Sequence, residues 1–429
     1  MAKYQKYAEY KDSGVEWLGE IPSHWKVVKL SYKLRLLSGD GITAFDIEDT
    51  GTYPVFGGNG LRGFTEKYNC DGEYALVGRQ GALCGNINVA RGKFFATEHA
   101  VVVYPYEKFN LTYLSEFLRF MDLGQYSVSA AQPGIAVDRI NALPIVIPTL
   151  DEQNSIGDFL DHETSKIDHL IEKQQQLIEL LKEKRQAVIS HAVTKGLDPN
   201  VPMKDSGVEW LGEVPEHWVV KSYRLASRIY RGKFGHRPRN DPAFYDGDYP
   251  FIQTGDVARA GKYITSYSQT LNEKGKEVSQ LFPKGTLMMA IAANIGDIAI
   301  LGFEAYAPDS VVGFKPNNDI DLEFLRYSFI AALPALEQTS TQSTQANLNV
   351  ERIGAVKGTF PSLQEQREIV GYLDNLLEQY RNLVKIAENA ISLMQERRTA
   401  LISAAVTGKI DVRHWQAPTL AEADTELSA

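Results

Sequence analysis

The feature that most constrains this chain is a long segment that it contains twice. The first copy runs over residues 148–198 and the second over residues 361–411, at a constant offset of 213 positions. Without a gap, both copies open with Pro-x-Leu-x-Glu-Gln and close with Ala-Val-Thr. Two copies at this distance are too few and too far apart for a solenoid, whose units follow one another directly. The sequence therefore predicts a duplicated pair of domains.

Each copy of this long repeat has the pattern of a helix. Alternate steps of four and three from Ile156 meet apolar residues at seven of ten positions, and nine of the ten equivalent positions in the second copy are apolar. A 3.5-residue period is typical of a coiled-coil seam. The predicted seam of the first copy is Ile156, Leu160, Glu163, Ile167, Leu170, Gln174, Leu177, Leu181, Lys184 and Val188. About forty helical residues span roughly 60 Å, which favours a spacer; two ordinary core helices are the alternative.

A second, shorter repeat precedes each half. Residues 11–25, KDSGVEWLGEIPSHW, return as residues 204–218 with thirteen of fifteen positions identical. Glycine and proline interrupt it too often for a domain of its own, while its apolar residues suit packing. We expect this short repeat to dock each half onto its long helix.

The segments between short and long repeat differ in length, because the offset of the short repeat is 193 positions and that of the long repeat is 213. These variable segments have strand-like runs at 73–77, 99–104, 286–291 and 298–301 and helical stretches at 111–122 and 321–333, typical of α+β domains. Between them little aligns except a glycine turn at 81–87 and 292–298 and the exit at 138–140 and 351–353.

Composition bounds the class of protein. The 429 residues carry a net charge of −9 and two cysteines. Two cysteines cannot form a disulfide framework, which favours a reducing cytoplasm. No apolar run has the length of a membrane span, and the first residues lack the apolar region of a signal peptide. We expect a cytoplasmic protein without a membrane partner.

Catalytic motifs are scarce. The sequence has no phosphate-binding G-x-x-x-x-G-K-[ST], no His-Glu-x-x-His and no Cys-x-x-Cys. Phe56-Gly-Gly-Asn-Gly60 fits the Phe-x-Gly-x-Gly of adenine methyltransferases, but no Asp-Pro-Pro-Tyr stretch accompanies it. A turn between strands is the better interpretation. Asp309 could open a nuclease carboxylate cluster, but no Glu-x-Lys or Asp-x-Lys follows it closely.

Basic residues are concentrated in one place despite the acidic balance. Residues 219–240 carry seven Lys and Arg and no acidic residue. Such a run can neutralise DNA phosphates, and arginines or amides on neighbouring loops can contact base edges; a solvated basic face, and structural hydrogen bonds for the loop residues, are the alternatives. The candidate DNA-binding residues are Lys221, Arg224, Arg228, Arg231, Lys233, His236, Arg237 and Arg239, a weaker counterpart in Lys33 and Arg35, and the loop residues Arg62, Arg79, Gln80, Gln132 and Gln345.

The repeated Gly-Val-Glu-Trp-Leu-Gly-Glu-[Ile/Val]-Pro, the Pro-x-Leu-x-Glu-Gln opening and the Ala-Val-Thr close together resemble the specificity subunit of type I restriction-modification systems. The resemblance covers nearly the whole chain. It implies an α+β fold in which two target-recognition domains with mixed β-sheets are separated by two long helices, forming an antiparallel coiled coil with pseudo-two-fold, circular symmetry.

The resemblance also implies a non-catalytic role. Each target-recognition domain would bind one half of a bipartite, asymmetric double-stranded DNA sequence, and the helices would set the gap. Two methyltransferase subunits and two motor-nuclease subunits would assemble on the chain. The chain itself would hold no cofactor, since S-adenosylmethionine, ATP and Mg²⁺ belong to those partners. The alternatives are a self-contained DNA adenine methyltransferase or nuclease, and a coiled-coil adaptor for proteins.

The predicted domains follow the repeats. They are an N-terminal docking segment (1–21), a first target-recognition domain (22–147), a central helix (148–198), a repeated docking segment (199–214), a second target-recognition domain (215–360), a C-terminal helix (361–411) and a tail expected to be disordered (412–429).

Overall fold

The computed structural model describes residues 4–81, 83–127, 134–236, 240–292, 296–338 and 350–417. Two compact units make up the chain. The first unit comprises residues 1–175 and 388–429, and the second comprises residues 176–387. The division therefore falls within both long helices, each of which contributes to both units. No helix in the described ranges is long and apolar enough to cross a membrane.

Two helices are much longer than the others. The described helices are α1 (Leu111–Phe120), α2 (Val137–Asn141), α3 (Leu150–Lys195), α4 (Tyr223–Ala226), α5 (Thr254–Arg259), α6 (Glu273–Glu277), α7 (Leu322–Gln338), α8 (Val350–Ala355) and α9 (Leu363–Val406). The long repeat forms α3 and α9, as predicted, and the two shorter helical stretches of the variable segments are α1 and α7.

The first unit contains a six-stranded mixed sheet. The strands of this unit are β1 (Tyr10–Asp12), β2 (Glu20–Pro22), β3 (Lys26–Lys29), β4 (Leu34–Ser38), β5 (Tyr53–Gly57), β6 (Gly60–Thr65), β7 (Cys70–Gly78), β8 (Ile87–Ala96), β9 (Ala100–Pro105) and β10 (Pro144–Ile147). The sheet order is β4-β9-β7-β8-β5-β6, with β5 and β8 parallel and the other neighbours antiparallel. The predicted strands at 73–77 and 99–104 are β7 and β9.

The second unit divides the same kind of sheet into two. Its strands are β11 (Met203–Asp205), β12 (Glu213–Pro215), β13 (Val219–Ser222), β14 (Ser227–Arg231), β15 (Tyr245–Phe251), β16 (Tyr263–Ile264), β17 (Gln269–Leu271), β18 (Gln280–Phe282), β19 (Leu287–Ala290), β20 (Ile298–Leu301), β21 (Ala305–Ala307), β22 (Val311–Pro316) and β23 (Lys357–Phe360). The orders are β14-β22-β19-β20-β16 and β17-β15-β21-β18. The predicted strands at 286–291 and 298–301 are β19 and β20.

The two variable segments share one topology although their sequences scarcely align. Strands β14, β22 and β19 pair as β4, β9 and β7 do, and β15 lies parallel to β21 as β5 lies parallel to β8. The glycine turn noted in the sequence closes in a similar way in both: Gly85 donates its N–H to the carbonyl of Gly78 over 2.7 Å, and Gly296 donates to the carbonyl of Ala290 over 3.1 Å. Both glycines have φ near +90°, at +87° and +88°, where a side chain would be strained. The aligned glycines therefore share one conformation, while residues 82 and 293–295 of the predicted alignment lie outside the described ranges.

An insertion distinguishes the second variable segment. Strands β5 and β6 form a tight hairpin through Gly58 and Asn59, whereas the connection from β15 to β17 contains α5 and β16. This inserted connection carries Lys262, whose Nζ contacts carboxylates of Glu323 at the start of α7 and of Asp374 on α9. The extra length of the second variable segment thus includes this connection, which fixes the domain to its long helix.

The predicted seam consists of two sets of positions, each repeating every seven residues, and one of these two sets is wrong. Residues seven apart, such as Leu160 and Ile167, are buried as predicted. The other set is displaced by one position, because Leu177 is 43% exposed while its neighbour Ile178 is 9% exposed. The second helix shows the same shift, with Leu383 47% exposed. On a helix with 3.6 residues per turn, residues three and four positions away both lie near the same face. Where both are apolar, the packing of the partner helix decides which of the two is buried.

Within each unit, the segments of α3 and α9 run antiparallel. In the first unit Arg398, near the end of α9, donates from Nε to Asp168 in the first half of α3 over 2.9 Å. In the second unit Ile369, at the start of α9, lies in one core with Ile189 and Val193 near the end of α3. The predicted antiparallel arrangement is confirmed.

The short repeat docks on the helices as predicted. Trp25 and Trp218 are buried, and the indole of each donates to the glutamate of the Pro-x-Leu-x-Glu-Gln motif in its own unit, Glu152 or Glu365. The glycine that ends the other long helix completes the contact. Added Cβ atoms at Gly196 and Gly408 would lie 3.3 Å from Trp218 and 3.1 Å from Trp25. Three repeated motifs therefore meet at one tryptophan in each unit.

Candidate nucleic-acid interface

A polar cleft opens in the first unit where three strand ends converge. It is formed by the β5–β6 turn, by the residues after β7 and by the residue before β9. Its volume is ≈620 Å³. The residues lining this first cleft are Gly58, Asn59, Leu61, Arg62, Gln80, Gly81, His99 and Gly134. The cleft therefore presents mainly hydrogen-bond donors and amides.

Glycines allow the floor of the first cleft to close. An added Cβ at Gly78 would lie 2.1 Å from the carbonyl oxygen of Gly58, and one at Gly58 would lie 3.1 Å from the carbonyl oxygens of Gln80 and His99. Side chains at these positions would separate the strands, because real Cβ atoms do not approach so closely. The Gly-Gly-Asn-Gly stretch is thus a strand turn, as predicted.

Several of the predicted residues lie around this cleft. Arg62 is exposed on β6 and its side chain covers Gly57. Gln80 is exposed in the lining, and Arg79 beside it donates from Nη1 to the hydroxyl of Ser38 over 3.2 Å. His99, which the sequence analysis missed, is 41% exposed and lies 3.5 Å from the Glu98 carboxylate.

The second unit has a polar cleft of its own. The residues lining this second cleft are Phe234, Asn240, Pro242, Tyr245, Asp246, Phe251, Gln253, Gln269, Pro308 and Ser310, around a volume of ≈470 Å³. Phe234 stacks on Tyr245 with ring centroids 5.8 Å apart. In the same lining, Gln253 donates from Nε2 to Oε1 of Gln269. The lining of this cleft includes an acidic side chain, Asp246, whereas that of the first cleft includes Arg62.

Backbone hydrogen bonds show that the clefts occupy equivalent positions. The N–H of Arg79 donates to the carbonyl of His99 over 2.8 Å, and the N–H of Ile291 donates to the carbonyl of Ser310 over 3.0 Å. Each bond joins the residue after one strand, β7 or β19, to the residue before its neighbour in the sheet, β9 or β22. His99 and Ser310 are therefore equivalent lining residues.

The hairpins give a second equivalence. Leu61 lies opposite Phe56 on the paired strands β5 and β6, and Gln269 lies opposite Phe251 on β15 and β17. β5 runs parallel to β8 and β15 runs parallel to β21, so the pair β5–β6 corresponds to the pair β15–β17. Leu61 and Gln269 therefore lie on corresponding strands, and both clefts lie at one end of a shared topology.

Asp246 has an uncommon backbone conformation. Its φ is +60°, in the left-handed region, and the pairing of β15 with β17 shifts between Tyr245 and Tyr249. Such bulges redirect a side chain and occur often at functional sites. The carboxylate is exposed at the mouth of the second cleft.

Part of the predicted basic run has partners within the protein. Lys221 contacts Asp319 at 2.7 Å and lies 5.3 Å from the ring centre of Phe360. The hydrogen bond from Lys221 lowers the pKa of the Asp319 carboxyl. Arg224 donates from Nε to the carbonyl of Gly354 over 3.3 Å. These two side chains hold α4 and β13 in place.

Two further members of the run also contact neighbours. Arg231 lies 3.2 Å from the Glu351 carboxylate, with both side chains about two-thirds exposed at 65% and 66%. His236 lies 3.1 Å from Asp241 and stacks on Phe244 at 4.0 Å. The first pair is open to solvent and the second supports the loop beside the second cleft.

Other predicted residues point outward. Arg228 is exposed, 5.1 Å from the ring centre of Tyr230, and Lys233 is exposed next to the second cleft. Arg35 is exposed on β4 at the position of Arg228 on β14, while Lys33 contacts Glu107 at 2.9 Å. The remaining predicted residues, Gln132, Arg237, Arg239 and Gln345, lie outside the described ranges.

Both variable segments match one family model. The model described as the type I restriction modification DNA specificity domain matches residues 22–180 and residues 234–390. A type I restriction enzyme specificity subunit of Escherichia coli is 42% identical over 162 residues, which span 37% of this chain and 40% of that relative's own length.

Longer but weaker similarities extend over the chain. A putative type I restriction enzyme specificity subunit of Haemophilus influenzae is 24% identical over 355 residues, 81% of this chain and 86% of the relative. A solved chain from work on assembly and conformational transition of the type I system has a TM-score of 0.69 at 14% identity, covering 90% of this chain and 98% of that one. The HsdS subunit of Thermoanaerobacter tengcongensis gives a TM-score of 0.51 at 13% identity, covering 91% and 98%. These two structures show a shared fold.

Proposed function

Because this chain belongs to the type I restriction modification DNA specificity family, we propose that it recognises a bipartite, asymmetric double-stranded DNA sequence, one half with each variable segment. The observation that carries this proposal is the pair of polar clefts. Different side chains line the same point of one topology, so the two domains present different hydrogen-bonding groups from the same frame. Two domains that differ in this way recognise different half-sites, and the whole target lacks a two-fold repeat.

We propose that α3 and α9 set the gap between the half-sites. Seven added residues lengthen a helix by about 10 Å, which is roughly three base pairs of DNA. Insertion of one heptad at the same level of both helices is therefore expected to lengthen the recognised gap and to leave both half-sites as they were. An unchanged gap would refute the spacer role.

The chain acts in this proposal as a scaffold without chemistry of its own. Two methyltransferase subunits and two motor-nuclease subunits assemble on it in the cytoplasm, and S-adenosylmethionine, ATP and Mg²⁺ bind to those subunits. The family membership of the chain supports this arrangement. A pull-down from cells that express the chain with a tagged methyltransferase subunit tests assembly, and the mass of the purified complex tests its stoichiometry.

Domain exchange tests the division of labour. Residues 22–147 are placed in another specificity subunit of known target, and methylated bases are mapped by single-molecule sequencing of the host genome. One half-site of the host target should change to a new sequence while the other remains. Unchanged methylation at both half-sites would overturn the modular assignment.

The competing function is an enzyme that methylates or cleaves DNA by itself. Purified chain is incubated with DNA and S-adenosylmethionine, and separately with DNA and Mg²⁺. Turnover without partner subunits would overturn the proposal, whereas the proposed scaffold gives none until methyltransferase subunits are added. Retention on a DNA column at moderate salt separates it from an adaptor that binds proteins only.

A further inference from the structure

We propose that the two clefts contact base edges directly and that they select opposite kinds of hydrogen-bonding group. This inference rests on the proposed function and assigns residues and base chemistry to it. The first cleft, through Arg62, Gln80 and His99, recognises a guanine. The second cleft, through Asp246, recognises the exocyclic N4 amino group of cytosine.

The chemistry of the first cleft favours acceptors on the DNA. Arg62 is exposed in the lining, and an arginine fork fits the O6 and N7 acceptors of guanine in the major groove. Gln80 and Asn59 are exposed amides on the neighbouring turns. No acidic side chain lines this cleft among the residues that the structure describes. Guanine is the base that offers two acceptors and no donor on that edge.

The second cleft has the opposite character. Among the lining residues that the structure describes, Asp246 is the acidic one, and a carboxylate accepts from the N4 amino group of cytosine. Gln253 and Gln269, which belong to the same lining, hydrogen-bond to each other. The stacked rings of Phe234 and Tyr245 are also part of this lining.

Backbone geometry supports a contact role for Asp246 independently of its charge. The residue has φ +60° within a shift of strand register, and it is exposed. A non-glycine residue held in this conformation costs folding free energy, and such positions cluster at binding sites. The residue lines a cleft whose equivalent in the other domain is lined by Arg62.

The experiment uses the full chain and a randomised double-stranded DNA library, followed by affinity measurements on the selected duplex and on duplexes with each base pair replaced. Asp246→Asn is the central variant, since asparagine also tolerates positive φ and is expected to fold. Arg62→Lys keeps the charge but loses the two-pronged contact. Asp248→Asn, an exposed carboxyl on the same strand, and Arg91→Lys, with a side chain 62% exposed on β8, are the matched controls.

Asp246→Asn is expected to lower affinity for the selected duplex about 5- to 150-fold and to remove discrimination at one base pair of the second half-site only. Arg62→Lys is expected to do the same at one G·C pair of the first half-site. Both controls should match the wild-type chain. Thermal unfolding of every variant separates these effects from loss of the fold.

Three results would overturn the inference. The first is that both cleft variants select the same sequence as the wild-type chain. The second is that they lose affinity equally for all duplexes, including non-specific ones. The third is that the half-site recognised by the first domain of the wild-type chain contains no guanine. Failure of the wild-type chain, bound to methyltransferase subunits, to select any sequence would instead overturn the proposed function.

Discussion

Trp218 donates its indole N–H to the Oε1 atom of Glu365 over 3.0 Å. The first unit repeats this relationship between Trp25 and Glu152 over 3.4 Å. Each bond joins the end of a short repeat to the first turn of a long helix. It explains why these motifs occur twice almost unchanged while the segments between them differ.

The carboxyl of Glu152 makes folding dependent on pH. Burial opposes its ionisation, but hydrogen bonds from His24, Thr149 and Trp25 outweigh burial and lower the pKa below its ordinary value. The carboxylate therefore stabilises the fold above the pKa of the unfolded chain, and this contribution is lost as the pH falls through the folded pKa. Glu152→Gln should reduce the free energy of unfolding by about 2 kcal/mol at pH 7, and the difference should shrink towards about pH 4. Urea unfolding at both pH values measures this.

Glu179→Gln is the matched control for that experiment. Its side chain is 67% exposed and lies 2.8 Å from that of an exposed lysine three residues on, Lys182. Exposed pairs of this kind contribute a few tenths of a kcal/mol. A loss in Glu179→Gln as large as that in Glu152→Gln would contradict the role assigned to the buried glutamate.

Lys262 fixes the second domain to α9. Its Nζ lies 2.8 Å from Asp374, which also accepts from the hydroxyl of Tyr327 over 2.6 Å. Burial raises the pKa of Asp374, but these two hydrogen bonds lower it more, so that the carboxyl titrates below its usual range. Because about a third of each side chain is exposed, at 30% and 38%, a double-mutant cycle of Lys262→Met and Asp374→Asn should give a coupling of about 1 kcal/mol. Lys274→Met, an exposed lysine, should show none with Asp374→Asn.

Exposed and paired cations of the basic run should behave differently in DNA binding. Arg228→Ala and Lys233→Ala should each reduce the dependence of log affinity on log salt by about 0.9 if the side chain meets one phosphate. Lys221→Ala should instead lower the free energy of unfolding, since this side chain pairs with Asp319. Salt titrations of binding decide between these outcomes, and a slope that is unchanged in the first two variants would show that they face solvent.

The glycines after the long helices should tolerate no side chain. Gly408 has φ +74° and an added Cβ would lie 2.4 Å from Pro22, whereas Gly196, at +79°, would place it no nearer than 3.3 Å from a neighbour. Left-handed backbone costs an alanine about 1–2 kcal/mol in either place. Gly408→Ala should therefore destabilise more than Gly196→Ala. Gly14→Ala, with φ +69° and nothing within 4 Å, measures the backbone cost alone.

The repeats predicted the architecture because a duplicated frame leaves a signal in the sequence itself. Both long helices, the docking of Trp25 and Trp218, and the glycine turns at Gly85 and Gly296 follow from aligned positions. The second set of seam positions could not be predicted, since pairs such as Leu177 and Ile178 are both apolar and only the partner helix chooses between them.

The clefts were only partly predictable. Arg62 and Gln80 stood out as polar residues in glycine-rich turns, but Asp246 became a candidate only through its backbone conformation. Its signal in the sequence was the glycine that follows it inside a strand, which is typical of a bulge. Lys221 and Arg224 were counted by charge, and charge does not disclose the acceptors that fold against them.

The Trp–Glu–Gly contacts lie wholly within the repeated motifs, in both units. At the level of the gene, a recombination event whose crossover points fall in the two copies of these motifs exchanges a variable segment and leaves every one of these contacts encoded. The new protein folds around an unaltered junction. Under the proposed function, such an exchange gives the chain a new DNA target in one genetic step, without a compensating mutation in the scaffold.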